Sequence, residues 1–138
     1  MIQDRIPEPE SPLVQERWIE CWLAAREHLT PQYQTAVKKM LATNRIPVEG
    51  SGLEVPMSGF GTSAAILGQT STTITAIDCD PAAVALGRQL YSGLPTLTIE
   101  EANAYDLSQH RFLDFVYSLG GLHHLNDLPR TVIEIRRA

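Results

Sequence analysis

From residue 50 onward, short apolar or β-branched segments alternate with segments of helical pattern, and this alternation constrains the fold most strongly. It is typical of parallel βαβ units, in which each crossover helix packs back onto the sheet. The spacing predicts four strands, at Leu53–Val55, Thr72–Ile77, Leu94–Glu100 and Phe112–Tyr117. Because crossovers are right-handed, we expect an α/β fold with a doubly wound parallel sheet in the order three, two, one, four.

Helix signals separate these strands. Asp80 stands directly before Pro81, a pairing typical of a helix start, because Asp caps the free amides and Pro suits the first turn. The predicted helices lie at Thr62–Leu67, from Pro81 onward, and from a cap at Asn126 or Asp127 to Ala138.

The first 48 residues show helical patterns and no strand pattern. Residues 1–10 are polar and contain two prolines, which predicts a loose tail. Ser11-Pro12 and Thr30-Pro31 are helix starts, followed by apolar residues at helical spacing, so we expect two amphipathic helices at about 11–28 and 31–43. These helices either cover the core or form a lid over a substrate pocket. The predicted domains are an N-terminal helical cap, 1–48, and a cofactor-binding domain, 49–138.

The charge, the hydropathy and the cysteines of the chain limit the kinds of binding partner and the cellular compartment to expect. The net charge is −5 and the longest basic run is Arg136-Arg137, so no nucleic-acid partner is expected, because phosphate contacts need clustered Lys and Arg. No apolar run approaches the ~18 residues of a membrane span, and the N-terminus lacks the apolar core of a signal peptide. Cys21 and Cys79 show no CxxC spacing, which favours free thiols in a reducing compartment. We therefore expect a cytoplasmic protein without a membrane partner.

A short glycine-containing turn follows the first predicted strand. Gly59 and Gly61 lie in the run Ser58-Gly59-Phe60-Gly61-Thr62-Ser63-Ala64, between a strand and a helix. Glycine allows a backbone to come close to a ligand, and the following helix start suits a carboxylate or phosphate. An ordinary tight turn is the alternative interpretation.

Polar residues follow the other three strands, where ligands bind in open α/β sheets. Asp78 ends the second strand, 17 residues after Gly61, and an acid there can accept hydrogen bonds from both ribose hydroxyls of a nucleotide-like cofactor. Asn103 follows the third strand and offers both a donor and an acceptor to an adenine edge, although it is also a common turn residue.

His123 and His124 follow the fourth strand. One of them could orient a substrate or accept a proton near neutral pH, and the two are the predicted catalytic residues. Adjacent histidines on an extended backbone point in different directions, and no cysteine or acid stands at ligand spacing nearby. No metal site is therefore expected.

Together these segments resemble the class I S-adenosylmethionine-dependent methyltransferases, most closely the small-molecule branch that includes the quinone-biosynthesis enzymes. The resemblance covers residues 50–138 and implies a partial, Rossmann-like fold that binds S-adenosylmethionine. It rests on four motifs in order: Leu53-Glu54-Val55 with Ser58-Gly59-Phe60-Gly61-Thr62, then Ala76-Ile77-Asp78, then Ala102-Asn103-Ala104-Tyr105-Asp106-Leu107, then Leu113-Asp114-Phe115-Val116-Tyr117 with Leu122-His123-His124-Leu125.

The resemblance implies a role for each motif residue. Gly59 and Gly61 would face the methionine part of the cofactor, and Asp78 would hold the ribose. Cys79 would lie beside the adenine. Asn103 would lie near the adenine amino group, Ala104 would offer its backbone amide, and Ser118 would lie near the sulfonium. Glu54 and Ser58 complete the predicted cofactor-binding set.

Two departures from the family pattern are visible. The family has an acid, one residue, then Gly-x-Gly-x-Gly, whereas here Met57 replaces the first glycine, one residue is added and Pro56 removes an amide. The family also continues beyond the fourth strand. We therefore expect the edge of Phe112–Tyr117 to be open, which invites self-association.

Two other functions remain open on the sequence. Gly59-Phe60-Gly61-Thr62-Ser63-Ala64 also fits Gly-x-Gly-x-x-Ala, followed by Asp78, which is typical of a dinucleotide-binding oxidoreductase. A degenerate or truncated methyltransferase-like domain without activity is the other alternative. In the methyltransferase interpretation, the acceptor is expected to be a small molecule.

Overall fold

The computed structural model describes residues 31–138, which form two compact units at 31–46 and 47–138. The predicted helix 11–28 and the predicted tail lie outside the described residues. Helix α1 spans 31–43, as the sequence predicts, and its Val37 and Leu41 are buried. None of the helices in the described part is long and apolar enough to cross a bilayer.

The second unit is an α/β domain built on four parallel strands in the order β3-β2-β1-β4, as predicted. The strands are β1 (Glu49–Glu54), β2 (Ser71–Asp78), β3 (Leu97–Glu101) and β4 (Phe115–Tyr117). The helices are α2 (Thr62–Leu67), α3 (Pro81–Leu90) and α4 (Leu128–Arg137), with single turns of 3-10 helix at Gly59–Gly61 and Leu122–His124.

Three strands begin three or four residues from their predicted starts, and the first of them, β1, begins at Glu49, four residues before the predicted Leu53. The predicted third strand starts at Leu94. In the structure the Leu94 carbonyl accepts a hydrogen bond from the Leu97 amide and closes a turn, so β3 begins at Leu97. The predicted fourth strand starts at Phe112, but this residue has a φ of +61° and is 97% exposed. Since a positive φ is incompatible with a strand, the regular part of β4 is reduced to three residues.

Helices cover both faces of the sheet, as a doubly wound fold requires. On one face, Leu53, Val55 and Ile77 form a buried cluster with Ala104 and Leu107, against which Ile135 of α4 packs. On the other face, α2 packs against β2, and the Ser63 hydroxyl of α2 donates to Glu54 at the end of β1. Leu53 and Glu54 are adjacent in β1, so their side chains point to opposite faces of the sheet.

The start of α4 is fixed by polar contacts. Asp127, one of the two predicted caps, accepts a 3.1 Å hydrogen bond from the Arg130 amide. Further along the helix, the buried Glu134 carboxylate accepts from the Leu107 amide at 2.9 Å and lies 3.5 Å from the Arg111 guanidinium. These contacts attach α4 to the segment that follows β3.

Candidate functional site

The parallel order brings the ends of all four strands to one edge of the sheet. Glu54, the last residue of β1, lies opposite Ala76 of β2 and Tyr117 of β4, and Asp78 lies opposite Glu101 of β3. The last residues of these strands and the segments that follow them carry every predicted site residue. The fold therefore gathers onto one edge a set of residues spread over more than seventy positions of the chain.

Glu54 organises the turn after β1. Its carboxylate is fully buried, and Oε1 accepts hydrogen bonds from the Ser58 hydroxyl at 2.6 Å, the Ser58 amide at 3.2 Å and the Ser63 hydroxyl at 2.7 Å. Burial raises the pKa of Glu54 to about 7, although hydrogen bonds from Ser58, Ser63 and Tyr117 oppose the shift.

The glycine turn shows how the altered motif is accommodated. Gly59, Phe60 and Gly61 have φ values of +52°, +52° and +97°, whereas Met57 does not have a positive φ. Met57 instead donates its amide to the Ile77 carbonyl at 2.6 Å, and its side chain is buried. A glycine is therefore not required at position 57, since the left-handed backbone begins two residues later.

Asp78 and Asp80 have different local roles. Asp80 caps α3 by accepting from the Ala82 amide at 2.9 Å, as predicted. Asp78 accepts from the Asp80 amide at 2.9 Å through Oδ1, and burial raises its pKa to about 6. Asp78 also lines a small, open cleft at the edge of the sheet. The other lining residues are Pro56, Ile77, Cys79, Ala102, Ala104 and Leu125.

Cys79, Asn103 and Ala104 surround the same region. Burial, and then the neighbouring Asp78 charge, raise the pKa of the Cys79 thiol to about 11, which keeps it protonated at neutral pH. Asn103 Oδ1 accepts from the Tyr105 amide at 2.9 Å, so its oxygen closes a turn. Asn103 therefore has the role of a turn residue, which was one of the two roles that the sequence allowed. A contact between Asn103 and an adenine would use the side-chain amide nitrogen.

Ser118 and the two histidines follow β4. The Ser118 hydroxyl is buried and has no hydrogen-bond partner among residues 31–138. The expected extended backbone at the histidines is wrong, because Leu122–His124 is a 3-10 turn. The rings of His123 and His124 lie together, with centroids 3.9 Å apart, and both side chains are exposed. No group of three or more metal-ligating side chains occurs in the described residues.

Three residues of this edge were not identified from the sequence. Ser63 holds Glu54, and the Tyr117 hydroxyl lies 3.3 Å from the Ser63 hydroxyl. Tyr105 is buried, and its hydroxyl accepts from the amides of Asn126 and Asp127. Ser63 is 9 positions from Glu54 and 54 positions from Tyr117, and Tyr105 is 21 and 22 positions from its two partners. No rule of local sequence spacing connects residues so far apart.

The edge has the features of a nucleoside-binding cleft. Asp78 is the charged member of an otherwise largely apolar lining, which suits a flat heteroaromatic ring with a hydroxylated sugar. The buried Ser118 hydroxyl, immediately after β4, has no hydrogen-bond partner among the described residues. Because buried polar groups are normally satisfied, this hydroxyl fits a ligand that carries a hydrogen-bonding group.

Comparison with known proteins agrees with this geometry. A family model described as a methyltransferase domain matches residues 56–138, which is more than half of the chain. No curated protein sequence matches the chain significantly.

Several solved structures have the same fold. A protein from Methanococcus maripaludis, provisionally assigned as an S-adenosylmethionine-dependent methyltransferase, is 16% identical, with a TM-score of 0.71 over 96% of this chain and 62% of that one. A TehB-like methyltransferase from Corynebacterium glutamicum is 18% identical, with a TM-score of 0.67 over 93% of this chain and 68% of that one. A Galdieria sulphuraria protein, provisionally assigned as a sarcosine dimethylglycine methyltransferase, is 15% identical, with a TM-score of 0.63 over 81% and 43%. The chain thus spans only part of the length of these proteins.

Proposed function

This chain belongs to the methyltransferase-domain family, and we propose that it binds S-adenosylmethionine at the carboxyl edge of its sheet and transfers the methyl group to an acceptor. The observation that carries the proposal is the strand order β3-β2-β1-β4. It places the Glu54 turn, Asp78 and the segments after β3 and β4 around one edge, where open α/β sheets bind ligands.

The nucleoside part of the cofactor would occupy the cleft beside Asp78. Asp78 would accept from the ribose hydroxyls, and Cys79 and Ala104 would flank the adenine. The Asn103 amide nitrogen would then face the ring, since its oxygen is already bonded to Tyr105.

The amino-acid part would lie at the glycine turn. Gly59 and Gly61 would allow the backbone to approach it, with Glu54 and Ser58 beneath the turn. Ser118, whose buried hydroxyl has no hydrogen-bond partner among the described residues, would lie near the reacting methyl group. When bound, the cofactor's sulfonium supplies an activated methyl group, so the protein contributes mainly alignment.

His123 and His124 would serve the acceptor. Their exposed rings follow β4, on the side of the edge where Leu125 lines the cleft. An imidazole there can orient an acceptor or take up the proton that it loses on methylation.

The acceptor is proposed to be a small molecule and not a nucleic acid. The net charge of −5 supports this, and the Galdieria protein is assigned to sarcosine and dimethylglycine, which are small amines. We also keep the proposal of self-association through β4, which pairs on one side with β1 and has no second strand partner among the described residues.

The test is formation of S-adenosylhomocysteine by the purified chain with pools of amines, phenols and carboxylates, and separately with RNA. Product with a small-molecule pool, lost together in the His123→Ala and His124→Ala double variant, supports the proposal. Product with RNA alone would move the acceptor to another class. A chain that turns over no acceptor, and reduces NAD with a substrate pool, would favour the dinucleotide alternative.

A further inference from the structure

The altered glycine turn keeps three successive residues in the left-handed region of backbone conformation. Gly59, Phe60 and Gly61 have φ values of +52°, +52° and +97°. Glycine adopts this conformation freely, whereas the side chain of Phe60 makes it unfavourable. A strained backbone of this kind persists only where its surroundings hold it. The residues that hold the turn therefore also decide the shape that a ligand meets there.

Two hydroxyl groups in series connect the turn to the end of α3. The buried Thr62 hydroxyl donates to the Gly59 carbonyl at 2.7 Å. Because a carbonyl can only accept and Thr62 has a single hydroxyl proton, the hydrogen bond between Thr62 and Tyr91 is donated by the Tyr91 hydroxyl. Tyr91 directly follows α3. Its hydroxyl thus acts, through Thr62, on the direction of the Gly59 carbonyl.

The backbone of α3 supports the same turn. Gly87 is buried, and a Cβ there would lie 2.7 Å from the Phe60 carbonyl oxygen, so no other residue fits at position 87 without a shift of the turn or the helix. A Cβ on Gly61 would lie 3.5 Å from Tyr91 Cδ2, which places the phenol ring beside the turn. Gly87 and Tyr91 are four positions apart and lie on one face of α3. This face holds the left-handed turn in place.

Resting on the proposed function, we propose that Tyr91 is a positioning residue for the amino-acid part of the cofactor. Its hydroxyl holds Thr62, and Thr62 holds the Gly59 carbonyl, so the turn is held in one conformation before the ligand arrives. The nucleoside part belongs to the cleft beside Asp78, and Tyr91 is not among the residues that line this cleft. Tyr91 therefore contributes to the binding of one end of the ligand and not of the other.

Titration calorimetry on the whole chain with two compounds tests this. One is S-adenosylhomocysteine, and the other is 5′-methylthioadenosine, which has the nucleoside and a thioether but lacks the amino-acid part. We expect Tyr91→Phe to weaken the binding of S-adenosylhomocysteine by about 2- to 12-fold, the range for one hydrogen bond. The affinity for 5′-methylthioadenosine stays at the parent value.

Variants of Thr62 test whether the effect passes through this residue. Thr62→Val should reproduce the selective loss, and Thr62→Ser, which keeps the hydroxyl, should restore the affinity. The double variant of Tyr91→Phe with Thr62→Val should lose no more than Thr62→Val alone, because both changes interrupt one series of hydrogen bonds. Fully additive losses would overturn the role of Thr62 as the link.

Thr70→Val is the matched control, because Thr70 also donates to a carbonyl three positions earlier, at the other end of α2. It should bind both compounds as the parent chain does. Gly87→Ala is an independent second variant, in which a Cβ pushes against the Phe60 carbonyl. Since alanine favours a helix, a selective loss of affinity for S-adenosylhomocysteine there cannot come from a weaker α3. This variant decides the matter where Tyr91→Phe does not fold.

The outcomes separate this inference from the proposed function. Equal affinity of Tyr91→Phe and the parent chain for S-adenosylhomocysteine overturns the inference and leaves the proposed function standing. Equal losses for both compounds also overturn it, because Tyr91 would then support the domain as a whole and not the turn. A parent chain that binds neither compound overturns the proposed function, and the inference with it.

Discussion

The Tyr105 hydroxyl accepts a 2.8 Å hydrogen bond from the Asn126 amide, and thereby joins the loop after β3 to the loop after β4. It also accepts from the Asp127 amide at 2.9 Å, immediately before α4. The loop that carries Asn103 and the loop that follows the histidines are thus held by one buried phenol.

Removing this hydroxyl tests the junction. Tyr105→Phe leaves two amides without their acceptor, and we expect the free energy of unfolding to fall by about 1–3 kcal/mol, the usual cost of unpaired buried groups. Asn126→Ala is the control, because the backbone amide survives and the side chain is exposed. Urea unfolding followed by circular dichroism measures both. Equal losses in the two variants would mean that the phenol does not hold the loops together.

The contact between β1 and β4 leaves no room for a side chain at Gly52. A Cβ there would collide with Phe115 Cζ and would lie 2.9 Å from Ile74 Cδ1. We expect Gly52→Ala to destabilise the chain by about 1–3 kcal/mol, the usual range for overpacking. Gly93→Ala, where a Cβ meets nothing within 4 Å, should be close to neutral in the same thermal melts. A neutral Gly52→Ala contradicts the tight pairing of β1 with β4.

The Glu134 carboxylate is a second buried anchor. It accepts from the Leu107 amide and faces the guanidinium groups of Arg111 and Arg137. We expect Glu134→Ala to cost about 2–4 kcal/mol, somewhat below a wholly buried ion pair because the arginines are partly exposed. Arg136→Ala removes an exposed charge from the same helix and should change the unfolding midpoint little. A smaller loss for Glu134→Ala than for Arg136→Ala would refute the anchor.

The buried Glu54 also makes stability depend on pH. Its pKa is raised from 4.5 to about 7 in the folded chain, so the folded state holds this proton more tightly than the unfolded state. The resulting stabilisation is present below pH 4.5 and is lost as the pH rises to 7. The loss is about 3 kcal/mol, since one pKa unit is worth roughly 1.4 kcal/mol.

Asp78 acts in the same direction over a lower range, because its pKa is raised from 3.8 to about 6. The difference between the parent chain and Glu54→Gln therefore isolates Glu54. Denaturant unfolding from pH 4 to pH 8 should show the parent losing stability relative to this variant as the pH rises. A constant difference would show that Glu54 does not titrate in this range.

Local and pairwise rules were sufficient for much of the fold. Strand–helix alternation and crossover handedness predicted the order of the sheet, and Asp80 before Pro81 predicted the start of α3. These features depend on residues adjacent in sequence or on general constraints of chain connection. The same reasoning placed the predicted cofactor residues at the ends of their strands, because carboxyl ends share one edge.

Other features depend on contacts that no spacing rule contains. The fourth strand begins at Phe115 and not at the predicted Phe112, which adopts a positive φ. Nothing in the sequence around a phenylalanine predicts that conformation. Bonding of Ser63 to Glu54 could not be predicted, since a serine at the start of a helix is ordinarily a surface residue. The close approach of the His123 and His124 rings follows from a 3-10 turn where the sequence indicated extended backbone.

The central claim is that the edge around Asp78 binds S-adenosylmethionine, and the affinity of the chain for S-adenosylhomocysteine tests it most directly. Calorimetry at pH 7.5 should show saturable binding to the parent chain and no binding of NAD. Asp78→Ala should weaken the affinity by about 1–3 kcal/mol, or roughly 5- to 150-fold, the cost of leaving ribose hydroxyls unpaired. Equal affinity of parent and variant, or tighter binding of NAD than of S-adenosylhomocysteine, would contradict the account.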